Sequence, residues 1–595
     1  MKRLLRAGYL VDIGLFCLAV ALVAWGWQAL QPRFDGGSYH YDGMEEHALT
    51  WPLRTQSVEG QQMVDMRFAL EFPAVRAHVY QWHLDDCVET MEINGTAVSE
   101  IGTDFCNYDP GHAIDLSRYL QTGRNDFHIR LKDTGGLLRI AMEIAPADPF
   151  RIACMVWVAL LFLSLGLYVW KTPLWKRPVE LLWIFLAGTL LRWFYVIGTP
   201  YAMRAHDADA HLDYIAYVAK HFAIPRADDG WEFHQPPLYY FITGLYQHMQ
   251  ELAGRAVPLI VRDLQWLSLA LSAATLAVCL WMSLQLFRVT RDRRGAALFL
   301  GILAAFPGLV FVASRVSNDA LFGFLAFLSL ALTQRWWKTG KSLDWVLLSV
   351  VIGVAFITKV NAALLLGAAL LCLLLRKKTA WRIKLELGAA LVCMVVIISG
   401  WVFTARILEA GGLQRVISLG NGGMNGSLML ETTPQTFLTL NPVQMLAHPY
   451  NNPWGPGERR EYYWEFFLRS AVSGEFGYGD TLKWLDTLEL ALWLGTLGLG
   501  VYGFVRVQRK EWYALLPLTA TLLTQVAGSI AYRADHPCAC NQDFRFVPLL
   551  IVPVAYFAVR GALLLPGRAK ELGQAWLIVL ATTSAILLSA ATLWG

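Results

Sequence analysis

The sequence predicts an α-helical polytopic membrane protein of about thirteen transmembrane helices, with a β-sandwich inserted on its outer side. Three observations carry that prediction. The 595 residues are 56% hydrophobic and 16% charged, too oily and too lightly charged for a water-soluble chain of this length. Thirteen apolar stretches are long enough, or nearly so, to cross a ~30 Å hydrocarbon core. Between the first two lies a segment, about 31–150, that reads as short alternating strands.

The apolar stretches run roughly 8–30, 151–170, 179–197, 258–287, 295–313, 320–334, 344–358, 361–375, 385–407, 484–505, 512–531, 546–567 and 574–593. The first exceeds the ~7–15 apolar residues of a signal-peptide core, so 1–30 reads as a transmembrane anchor. Seven short loops collect 24 of the 50 Lys and Arg, against three acids, Asp292, Glu511 and Glu571. With thirteen spans, all seven fall on one side. The positive-inside rule then places them and the N-terminus in the cytoplasm, and the sandwich and C-terminus on the periplasmic side of an inner (cytoplasmic) membrane. The other 43 acids and 26 bases belong to the spans and the outer face, where the polar chemistry is expected. Because the basic clusters are topological, nothing supports a nucleic-acid partner.

The domain reading is an anchor at 1–30, a sandwich at 31–150, a second helix with its cytoplasmic loop at 151–178, and a multi-span core at 179–595 with outer loops 198–257 and 408–483. In the sandwich, Asn94-Gly95, Asp109-Pro110 and Gly135-Gly136 supply turn signals. Nine scattered Cys give neither a zinc-ribbon spacing nor a dense disulfide scaffold. Cys87 and Cys106 are a disulfide candidate in an oxidising compartment. Met91-Glu92-Ile93-Asn94-Gly95, the run Ala113 to Leu120, and Gly123-Arg124-Asn125-Asp126 resemble the galactose-binding-like jelly rolls attached to many carbohydrate-active enzymes.

The densest polar cluster beside the membrane is Arg204, His206, Asp207, Asp209, His211 and Asp213, followed by Gly230-Trp231-Glu232-Phe233-His234-Gln235-Pro236-Pro237-Leu238-Tyr239-Tyr240. At helical spacing Asp207 and His211 share a face, joined by Arg204, while Asp209 and Asp213 make a second pair. The Pro pair ends any preceding helix, and the run after it is amphipathic enough to lie along the interface.

These motifs resemble the type C glycosyltransferases (GT-C superfamily), in the branch containing protein O-mannosyltransferases and the lipid A aminoarabinose transferase. The resemblance covers about 179–560 and includes Arg315, Asn318 and Asp319 opening the sixth span, Thr358, Lys359 and Asn361 closing the seventh, and Asp543, Arg545 and Pro548 before the twelfth. It implies transfer of a monosaccharide, with inversion, from a polyprenyl-phosphate carrier to a glycan, lipid or protein acceptor on the outer face of the bilayer. It also implies Asp207 as general base, with Asp209 the open alternative, and Arg204, His211, His234, Tyr239, Arg315, Asp319, Lys359, Glu475 and Arg545 as substrate-binding candidates.

Arg545 is preferred for the departing phosphate because a guanidinium holds two oxygens at once. For Arg315 and Lys359 the competing reading is interfacial snorkelling or a salt bridge to Asp319. The segment 408–483, with no periodicity of its own, reads as a lid. At His536-Pro537-Cys538-Ala539-Cys540 a disulfide and two free thiols are both open, and no metal is expected there. No cofactor is firmly implied, although some relatives hold a divalent metal on the carboxylate. Rival functions are a flippase for a lipid-linked sugar and an oligosaccharide ligase or polymerase using a diphosphate carrier.

Overall fold

The computed structural model describes residues 32–51, 53–56, 62–73, 79–84, 87–99, 101, 107–116, 118–133, 137–144, 179–199, 207–253, 257–288, 292–377, 379–410, 428–453, 459–475, 477–507 and 509–594. The expected spans at 8–30 and 151–170, together with Arg204 and Cys106, lie outside the described residues. The chain divides into two compact units, one holding the strands and the other the helices from 179 onward.

The first unit has two antiparallel sheets. One has the order β2(His47–Ala48), β1(Arg33–Tyr41), β4(Gln62–Phe72), β9(Gly123–Asp133), β6(Cys87–Ile93), β7(Thr96–Ala97), and the other β3(Leu53–Gln56), β10(Leu137–Ile144), β5(Val79–Leu84), β8(Asn107–Asp115). The period-2 pattern explains the pairing: along β9, Phe127, Ile129 and Leu131 are buried while Arg124, Asp126, Arg130 and Lys132 are exposed. Side chains from both sheets, among them Phe68, Trp82, Phe127 and Ile140, form one core, which makes the unit a sandwich.

Asn94 and Gly95, at φ 54° and 76°, turn β6 into β7 as the sequence predicts. Asn94 Nδ2 donates to Asn125 Oδ1 at 2.9 Å and Asp126 N donates to Asn94 Oδ1 at 3.0 Å, so two of the sequence motifs interlock. Asp109-Pro110 is a correction. It lies inside β8, not in a turn, and β8 is an edge strand, where a missing N–H costs no ladder bond. Cys87 is disulfide-bonded.

In the second unit the apolar stretches fold as helices, since a helix satisfies its own backbone in lipid. In order they are α1(Val179–Ile197), α2(Ala208–His221), α3(Leu238–Leu252), α4(Val257–Arg288), α5(Arg293–Ala305), α6(Pro307–Val310), α7(Asn318–Thr339), α8(Ser342–Phe356), α9(Ala362–Leu375), α10(Trp381–Ala410), α11(Pro434–Leu438), α12(Pro442–Ala447), α13(Tyr463–Ser473), α14(Lys483–Arg506), α15(Arg509–Asp535), α16(Ile551–Leu564) and α17(Gly567–Trp594).

The expected count of thirteen spans is not reached among the described residues. Six helices, α1, α4, α10, α14, α15 and α17, are long and apolar enough to cross a membrane, and a seventh span exists if the pair at 293–313, bent by 63°, counts as one. Three of the expected spans fall short in length, at Ser342–Phe356, Ala362–Leu375 and Pro548–Leu564: α8 has 15 residues and reaches about 22 Å, less than a hydrocarbon core, whereas α7 has 22 residues but is not apolar enough.

Helix α3 buries Tyr239, Tyr240, Thr243, Gly244 and Gln247 and exposes Ile242, Leu245, Met249 and Leu252 on the other side, the pattern expected of a helix lying along an interface. The segment 408–483 is a second correction. Its described part contains α11, α12 and α13, and α13 buries Tyr463, Glu465, Phe466, Phe467 and Arg469. Its aromatic side chains give it a packed face that a period search over a Gly-rich segment passes over.

Candidate active site

Asp207 is the N-cap of α2, with φ 53°. A left-handed conformation is unusual for a residue other than Gly or Asn, and caps in general turn their side chain onto the first helical N–H groups. Asp207 makes no such bond. Its Oδ2 instead accepts from Arg545 Nη2 at 2.7 Å, across 338 residues of chain. The anion sits at a helix N-terminus, where the backbone dipoles favour negative charge.

Arg545 is carried by the 3-10 turn Phe544–Phe546, which is pinned where Phe544 N donates to Ser470 Oγ at 2.9 Å and Arg545 N donates to Asp543 Oδ1 at 2.8 Å. Burial alone would lower its pKa, but the carboxylates of Asp207, Asp319, Asp543 and Glu475 outweigh it and hold the guanidinium firmly charged. Its Nε is buried with no hydrogen-bond partner.

A second ion pair joins Lys359, just past α8, to Asp319 in the first turn of α7. Lys359 thus makes the salt bridge to Asp319, one of the readings that its sequence position leaves open. Asn318 Nδ2 donates to Gln235 Oε1 at 3.2 Å and to Thr358 O at 3.1 Å, tying α7 to the loop before the Pro pair and to the end of α8. Phe546 lies under both cations, with Lys359 and Arg545 each 5.2 Å from its ring. Arg315 is buried, 6.0 Å from the Phe311 ring, and burial lowers its pKa although Asp543 opposes the shift.

The loop between α2 and α3 supplies His234 and Gln235, whose Nε2 atoms lie 3.2 Å apart, while His234 Nδ1 meets Trp231 O at 3.1 Å. His211 is buried with its Nδ1 2.8 Å from Tyr240 Oη, and burial keeps the imidazole neutral to lower pH than usual. Tyr240, next to the predicted Tyr239, thus makes the contact to His211, and Tyr239 is buried one position round the helix. Asp209 lies in the first turn of α2, half-buried. Glu475 is buried behind α13 and accepts from Cys540 Sγ at 3.5 Å.

Sequence reasoning passed over Glu232. It is buried, its Oε2 has no hydrogen-bond partner, and burial first, then the charge of Asp207, push its carboxyl above the ordinary range against the pull of His211, Arg545 and Lys359. It lies in the stretch that marks the site, but loop residues have no helical face to single one out.

Among the described residues, no three or more His, Cys, Asp or Glu side chains are grouped to hold a metal. The cations against Asp207 and Asp319 are Arg545 and Lys359, so these carboxylates do not fit a divalent ion as arranged.

Long apolar helices with two ion pairs gathered at their ends define a polytopic membrane protein, and over part of its length the chain is similar to membrane glycosyltransferases of the GT-C type. Residues 252–403 match the family described as dolichyl-phosphate-mannose-protein mannosyltransferase. The match spans α4 to α10 and contains Arg315, Asp319 and Lys359, whereas Asp207, Glu232 and Arg545 fall outside it. No curated protein matches the chain.

Proposed function

We propose that the protein transfers a monosaccharide from a polyprenyl-phosphate carrier to an acceptor hydroxyl on the outer face of an inner membrane, with inversion at the anomeric carbon. The observation that carries this reading is the 2.7 Å contact between Asp207 and Arg545, which joins the carboxylate before the Pro pair to the guanidinium near the chain's end.

In this reading Arg545, with its unpartnered Nε, binds the carrier phosphate, where negative charge grows as the sugar departs. The phosphate takes over the guanidinium from Asp207, and the released carboxylate accepts the acceptor's proton as its oxygen attacks. Lys359 and Asp319 hold each other and frame the site, and His211, His234 and Glu475 orient polar groups around it. Phe546 screens both cations from water. The sandwich, of jelly-roll type, raises the local concentration of acceptor.

The test is mass spectrometry of envelope glycoconjugates from a deletion strain complemented with wild type, Asp207→Asn or Asp209→Asn. Loss of one sugar increment with Asp207→Asn, and its retention with Asp209→Asn, is expected. Full product from correctly inserted Asp207→Asn protein would remove Asp207 as base.

A further inference from the structure

Between α2 and α3 the chain runs through 222–237 without helix or strand, and this loop carries Glu232, His234 and Gln235. Its own backbone bonds are short-range turns: Asp229 N donates to Arg226 O at 3.3 Å, Phe233 N to Gly230 O at 3.4 Å and Gln235 N to Glu232 O at 3.0 Å. Such turns shape the loop locally but do not fix it against the helices. Pro225 O, Ala227 N and Phe233 O find their partners elsewhere, as backbone groups away from water must.

Those partners are two side chains in the last turn of α10. Arg406 is 5% exposed, so its charge is desolvated and has to be matched by the groups around it. Its Nη1 donates to Pro225 O at 2.8 Å and to Glu409 Oε2 at 2.8 Å, and its Nη2 donates to Phe233 O. Glu409 Oε1 accepts from Ala227 N at 2.7 Å. One ion pair at i, i+3 on the helix therefore grips three backbone groups of the loop. Phe233 O is the carbonyl between Glu232 and His234, and the Phe233 ring packs 5.3 Å from Tyr214 and 5.7 Å from Tyr217. A buried ion pair adds little net stability over apolar side chains of the same size, because desolvation cancels most of its attraction. What a guanidinium adds is direction: its planar fork presents N–H groups at fixed angles, so it holds two carbonyls in one relative arrangement, where Lys offers a single rotating point charge.

We propose that Arg406 is a positioning residue of the candidate active site: by holding Phe233 O it sets where Glu232 and His234 stand, and Glu409 completes the grip at Ala227 N. It acts through the loop backbone and not on substrate. The far end of the loop is tied separately, where Asn318 Nδ2 donates to Gln235 Oε1 and Leu238 N donates to Ile357 O. With the α10 contact gone, the Gln235 end stays in place while 225–233 is released, so the two polar side chains drift and the pair beyond them does not. Displacement of site groups by about 1 Å can cost about 100-fold in rate without loss of binding. The kinetic consequence rests on the sugar-transfer reading, and the fixing of the loop does not.

The test uses full-length protein in detergent, as wild type, Arg406→Lys and Glu409→Gln, with Arg382→Lys on the exposed part of α10 as control. Amide hydrogen exchange read by mass spectrometry should speed up about tenfold or more in peptides from 222–237 of Arg406→Lys, with peptides from α2 and α3 unchanged. Turnover is read as polyprenyl phosphate released from polyprenyl-phosphate mannose, with envelope membranes as acceptor. For Arg406→Lys, kcat should fall about 10- to 100-fold while the donor KM stays within about twofold. Glu409→Gln keeps an oxygen for Ala227 N but loses the ion pair, so a smaller fall of about threefold to tenfold is expected, and it decides the matter by the same two readouts if Arg406→Lys does not insert. Arg382→Lys should match wild type in both. Wild-type kcat in Arg406→Lys, or exchange that rises evenly through α2, the loop and α3, would overturn the proposal, the second because it shows general loosening. A wild-type protein that releases no polyprenyl phosphate would sink the sugar-transfer reading and leave the exchange result standing.

Discussion

Breaking the Asp207–Arg545 pair tests the geometry most directly. At 2.7 Å between nitrogen and oxygen, the charge centres are about 4 Å apart, worth about 4 kcal/mol of attraction at an effective dielectric of about 20. The side chains are 28% and 13% exposed, so desolvation and solvent screening offset much of that, and a net coupling of about 1–3 kcal/mol is expected. The assay is a double-mutant cycle over wild type, Asp207→Asn, Arg545→Gln and the double variant, with reversible unfolding in mixed detergent read as free energy. Each single variant should lose more stability than half the double, because each strands a partly buried charge. A coupling below about 0.3 kcal/mol would mean that the contact is incidental, and the site would need a different centre.

Four further outcomes follow from particular contacts. Glu232 has a raised folded pKa, so its stabilising contribution is whole below the ordinary value of 4.5 and is lost as pH rises from there toward the folded value. Melting curves from pH 4 to 8 should therefore show Glu232→Gln gaining on wild type as pH increases, and a constant difference would contradict the burial argument. A Cβ on Gly503 would lie 2.0 Å from Phe557 O, and one on Gly561 2.0 Å from Leu499 O, so Gly503→Leu should force α14 and α16 apart and abolish a monodisperse elution peak. In the sandwich, Phe127 is 2% exposed and stacked on Phe68 at 5.2 Å, so Phe127→Ala should cost about 3–5 kcal/mol, checked by proteolytic susceptibility of that module in the full chain. Deleting 31–150 while keeping the flanking apolar stretches should raise the acceptor KM more than it lowers kcat, and an unchanged KM would count against an acceptor-binding sandwich.

Much of the architecture was legible in one dimension because its causes are local. Alternation along β9 depends on neighbours two residues apart, the Asn94-Gly95 turn on two φ angles, and each helix on an unbroken apolar run. Where local signals misled, a non-local fact decided: Pro110 is tolerated because β8 has no partner on its outer edge, and α13 is a helix because its aromatic face meets Phe544 and α6. The number of apolar runs was readable, but which are long enough to cross a bilayer depends on where each helix stops, and the ends are set by tertiary contacts such as Leu238 N to Ile357 O at 2.9 Å.

The site divides the same way. Composition and charge distribution determined by themselves that the chain is membrane-embedded and that its acids gather away from the basic loops. Residue type nominated Asp207, Asp319, Lys359 and Arg545. Only the packed helices decided that Arg545 meets Asp207 while Lys359 meets Asp319, and that Glu232, in a loop with no periodicity, is buried within reach of their charges. A sequence records which charges a chain carries, whereas the partner of a charge 338 residues away is chosen by the way the intervening helices pack.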